Sequence, residues 1–77
     1  MATKEEVLEK IARYGQSLGE ERVERIRISD EWENAKTLVF LLLIEPKNEW
    51  YRSRLDDEET REAVLQKILL LTALDKG

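Results

Sequence analysis

From Thr3 onward apolar residues recur every three or four positions: Val7, Leu8, Ile11, Ala12 and Leu18. That period marks one face of an α-helix, and Thr3 followed by Glu6 forms a capping box at its start. Gly19, with Gly15 before it, gives a stop near Leu18. Residues 22–29, Arg-Val-Glu-Arg-Ile-Arg-Ile-Ser, switch to a period of two around Ile26 and Ile28, the pattern of a half-buried strand. Residues 29–34 are polar and read as a loop. The chain then enters Leu38-Val39-Phe40-Leu41-Leu42-Leu43-Ile44, a run with no polar position, and leaves it at Glu45-Pro46. Pro46-Lys47-Asn48 is a turn signal, and residues 49–54 alternate as a short return strand. Asp56 to Glu59 open a final helix that runs to about Asp75, its four acids complementing the positive helix N-terminus.

This order predicts an α+β fold in a single domain over residues 1–77: a helix, a three-stranded antiparallel meander and a helix, with 38–44 as the central strand. An all-α arrangement competes with it. Asp30 followed by Glu33 is also a capping box, and leucine favours helix. A helix from Glu31 to Ile44 would give an all-α bundle with residues 31–45 helical. The strand reading draws on the length of the run, the turn after it and the alternating segments on both sides, which need a pairing partner.

In the meander, alternation sorts side chains onto two faces. Ile26 and Ile28 face the helices. The outer face carries Arg25, Arg27, Trp50, Arg52 and Arg54 around whichever half of the central strand points out: Leu38, Phe40, Leu42 and Ile44, or Val39, Leu41 and Leu43. Leaving such a side chain in water forgoes about 1.5–3 kcal/mol relative to full burial, so a contiguous stripe of them marks an interaction site. Tryptophan and arginine are also the types enriched at the energetic centres of interfaces. The final helix shows a similar excess. Val64, Leu65, Ile68 and Leu71 form one stripe, while Ala63, Leu70 and Leu74 lie towards the other side, and a helix apolar all round is normally buried all round.

Composition then narrows the function classes. Seventy-seven residues is small for a domain and buries only about 60% of the surface its unfolded chain exposes, so assembly would add needed stability. The chain has no cysteine and no histidine. That removes disulfides, cysteine metal sites, the usual general base near neutral pH and the commonest zinc ligand. Its three glycines form no phosphate-cradling spacing, and its acids cluster in a helix turn rather than in a loop that could converge on an ion. No catalytic, cofactor-binding or metal-ligating residue is assigned, and the chain is read as not an enzyme. No run approaches the roughly 20 apolar residues of a membrane span, and the charged N-terminus lacks a signal-peptide pattern, so the expected setting is cytoplasmic. Thirteen basic and seventeen acidic residues give a net charge of −4, which argues against a general nucleic-acid binder. The 39% of charged residues suits a natural, a thermophilic or a designed chain alike.

Two resemblances follow from the element order. Helix, three strands, helix resembles the double-stranded RNA-binding domain, whose second helix sets a lysine-rich start on phosphates; here that start is Asp56 to Glu59. Small acidic secretion chaperones are similar in placing helices around a short antiparallel sheet and in pairing up. The expected function is a self-assembly or protein-interaction module, a homodimer through the outer sheet face (Trp50, Arg52 and Arg54 with either Phe40 and Leu42 or Leu41 and Leu43) or the C-terminal helix (Leu70, Leu74). The alternative is nucleic-acid binding by Trp50, Arg52 and Arg54 with Arg25 and Arg27.

Overall fold

A computed structural model describes residues 2–27 and 34–76 and contains helices and no strand among them. α1 spans Lys4–Leu18, α2 Glu20–Glu24, α3 Asn34–Ile44, α4 Glu49–Ser53 and α5 Glu58–Lys76, with a single 3₁₀ turn at Arg54–Asp56 before α5. Among the described residues the fold is therefore all-helical, and the predicted α+β meander is overturned wherever its three strands are described. The competing helix over the apolar run is the form the chain takes, described from Asn34; its proposed cap at Asp30 and Glu33 lies outside the described residues.

Each correction has a local cause. After Leu18 the chain turns at Gly19, whose φ of 88° suits only glycine, and helix resumes at Glu20. Glu20 and Glu21 occupy the first turn of α2, where acids are favoured. Val23 of α2 and Ile26, just past its end, both pack against the core at a spacing of three rather than two, while Ile28 and Ser29 lie outside the described residues. Likewise Asn48 both follows the Pro46 turn and caps α4, its side-chain oxygen accepting from the Tyr51 amide at 3.1 Å. The expected return strand 49–54 is a helical turn for that reason.

The ends of the outer helices follow the sequence signals. Thr3 Oγ1 accepts from the Glu6 amide at 3.2 Å at the start of α1. Asp57 caps α5, its Oδ2 accepting from the Thr60 amide at 2.9 Å and the Thr60 hydroxyl at 2.8 Å.

The core is a three-helix arrangement. Val7, Ile11 and Tyr14 of α1 meet Leu38, Val39, Leu42 and Leu43 of α3, Val64 and Ile68 of α5, and Leu55 of the 3₁₀ turn. As a helix, the run 38–44 buries two adjacent columns, 38/42 and 39/43, between α1 and α5. Full burial of side chains of this size stabilises by about 1.5–3 kcal/mol each. Polar ties close the ends. Arg61 donates to the carbonyls of Ala2 and Leu55, both at 3.0 Å, and Lys4 pairs with Asp56 at 2.9 Å, fixing the chain start to the turn before α5. Arg22 pairs with Asp75 at 3.1 Å and ties α2 to the far end of α5.

Candidate functional site

α5 is long and apolar on more than the side it buries. Val64 and Ile68, four apart, are fully covered, with Leu71 half-buried beside them. Ala63, Gln66, Leu70, Ala73 and Leu74 recur at spacings of three and four on another side, and all are exposed. Leu70 keeps 51% of its surface in solvent and Leu74 68%. Leu69, also 51% exposed, lies nearer α1, where it shares a shallow hollow with Lys10, Tyr14 and Thr72. Leucines are recruited to this helix by high helix propensity, but propensity does not require three of them on its wet side.

The sequence-predicted site residues do not come together on one surface. Leu70 and Leu74 are exposed on α5. Leu42 and Leu43 are core residues of α3, 1% and 8% exposed, and form no outer apolar stripe. Phe40 and Leu41 are half-buried on α3, with the Lys36 ammonium 5.8 Å from the Phe40 ring centre. Trp50, 71% exposed, stands on α4 rather than on a sheet.

The arginine face is also dismantled. Arg25 and Arg27 follow α2, whereas Arg52 and Arg54 belong to α4 and the 3₁₀ turn, so no strand pairing sets the two pairs side by side. Arg25 bonds to Glu21 at 2.7 Å, and Arg27 donates to the carbonyls of Glu24 and Ile26, each at 3.1 Å. Arg52 donates to the Pro46 carbonyl at 3.1 Å. The sheet platform on which base stacking would have rested is absent among the described residues.

Two side chains carry shifted acidities. Burial pushes the Tyr14 hydroxyl up, the Asp75 carboxylate adds to that, and Arg22 opposes it. The Thr60 amide and then its hydroxyl hold the Asp57 carboxyl below the usual carboxylate range. Both belong to structural contacts, one at the α1–α5 packing and one at a helix cap. Among the described residues no group of acids gathers as a metal site, and no helix is long and apolar enough to cross a membrane.

Comparison with protein-family models, with curated proteins and with solved structures finds no match for this chain.

Proposed function

We propose that this chain is a non-enzymatic interaction module that pairs with a second copy of itself through the outer side of α5. The observation that carries the reading is the exposure of Leu70 and Leu74, one turn apart, on a helix whose other side is already fully packed. Exposed Ala63 and Ala73 on the same side leave room for a partner backbone to approach. Pairing two such helices buries the leucines of both, the non-directional gain that drives most association. A twofold arrangement suits it because one patch serves both partners. The reading carries a cytoplasmic setting, supported by a charge-rich, cysteine-free sequence.

The absence of cysteine permits a direct test. Leu70→Cys introduces a single thiol at the centre of the patch, and Lys47→Cys introduces one at an exposed turn outside it. Under mild oxidation the first variant is expected to form a covalent dimer in high yield and the second to stay monomeric. Equal yields from the two variants, or no dimer from Leu70→Cys, would refute the pairing surface. Capture of a different protein at low Leu70→Cys self-linking would indicate a foreign partner on the same face.

A further inference from the structure

Between α1, α2 and the end of α3 lies a half-open groove of about 480 Å³, within the roughly 300–1,000 Å³ of small-molecule sites. It exists because α1 carries short side chains where longer ones would fill the space. Ala12 and Gly15 line it, and Leu8, Ile11, Leu42 and Leu43 supply apolar walls. From Leu8 to Gly19 the trough follows about 16 Å of chain at the helical rise of 1.5 Å per residue.

One cation lines the groove, Arg52, and one acid, Glu20. The bond from Arg52 Nη1 to the Pro46 carbonyl fixes the guanidinium at the rim without neutralising it. Arg13, Arg22 and Arg25 each have a carboxylate partner, but no carboxylate among the described residues pairs with Arg52. A planar cation held by a backbone carbonyl at the edge of an apolar trough matches one ligand chemistry. Its remaining N–H groups suit a carboxylate, and the walls suit a hydrocarbon chain.

We propose that this groove binds a free aliphatic monocarboxylate, its acyl chain along Leu8, Ala12 and Leu43 and its carboxylate on Arg52. The site uses none of the α5 patch, so it stands or falls independently of self-assembly. Arg52 distinguishes the acid from the alcohol of equal chain length, and Glu20 acts with the opposite sign.

The test is a titration of isotope-labelled full chain with decanoate below its micelle concentration, followed by amide NMR shifts. Saturable shifts are expected around Ala12, Gly15, Gly19 and Leu43, with decanol bound about tenfold more weakly, the order of one charge-assisted contact. Arg52→Gln, which keeps a donor near Pro46, is expected to reduce decanoate to the decanol level, and Glu20→Gln to tighten it about twofold. Ala12→Trp fills the trough from an exposed helix position and is expected to abolish binding of both ligands while leaving the helical circular dichroism intact. Absence of saturable shifts, shifts confined to α5, or undiminished decanoate affinity in Arg52→Gln or in folded Ala12→Trp overturns the proposal.

Discussion

Gly15 and Leu43 meet where α1 crosses α3: a methyl group built on Gly15 would stand 3.0 Å from Leu43 Cδ2. The contact sets how closely the two helices approach and explains a glycine inside α1, where it weakens the helix by about 0.5–1 kcal/mol relative to alanine. Gly15→Ala should be near neutral, the propensity gain offsetting a small shift of the leucine methyl. Gly15→Val should destabilise by about 1–3 kcal/mol, as overpacking does. Urea unfolding of the two variants checks the contrast.

Arg61 makes a second structural tie, donating to Ala2 and Leu55 carbonyls and, at 3.4 Å, to that of Asp56. Removing it strands partly buried carbonyls at the start of the chain and before α5. Arg61→Met, which keeps the aliphatic stem, should lower stability by about 2 kcal/mol, the range for hydrogen bonds to a charged group. A loss under about 0.5 kcal/mol, typical of surface substitutions, would mean that the carbonyls find water instead.

The leucines of α3 and α5 should respond in opposite ways. Leu42 is fully buried, so Leu42→Ala should lose about 2–5 kcal/mol. Leu70→Ala at micromolar dilution should change monomer stability by no more than about 0.5 kcal/mol. Thermal and urea unfolding at fixed low concentration separate the two, and a large loss at Leu70 would place it in the core.

Stability should fall at both ends of the pH scale for different reasons. Tyr14 has a raised folded pKa, so the folded state keeps its proton longer than the unfolded chain, whose value is about 10. Its contribution is complete below about pH 10 and is lost as pH rises through the folded value. Asp57 has a lowered folded pKa; its contribution is complete above the unfolded value of about 3.9 and disappears as pH falls through the folded one. Tyr14→Phe should flatten the alkaline limb of the urea midpoint, and Asp57→Asn the acid limb. An unchanged profile in either variant would remove that group from the account of pH stability.

The two outer helices were legible because their signals are local and redundant. Thr3 with Glu6, the 3.6 period of α1, Gly19 and the acids before α5 all lie within a turn of the boundary they set. The middle of the chain lacked that redundancy. Leu38 to Ile44 has no polar residue to reveal a period, so strand and helix differ only in which neighbours cover it. That choice was made by tertiary packing against α1 and α5. Val23 and Trp50, each in a five-residue helix, show a similar failure, since two or three alternating residues beside a turn fit a short helix as well as a strand. The exposure of Leu70 and Leu74 follows from surplus leucine on a long helix, visible in either fold, whereas the placing of Leu42 and Leu43 depends on the sheet. Tyr14, a core residue, lay on the α1 face at position i+3 from Ile11 and was readable from that spacing.

The pairing of α5 is tested most directly by solution mass from light scattering across a dilution series, on the wild type and on Leu70→Glu/Leu74→Glu. The wild type is expected to approach twice the 9.1 kDa of one chain at high concentration and to dissociate on dilution. The double variant is expected to remain at 9.1 kDa throughout with unchanged helicity. A wild type that stays monomeric at every concentration, or a folded double variant that still dimerises, would contradict self-assembly through this face.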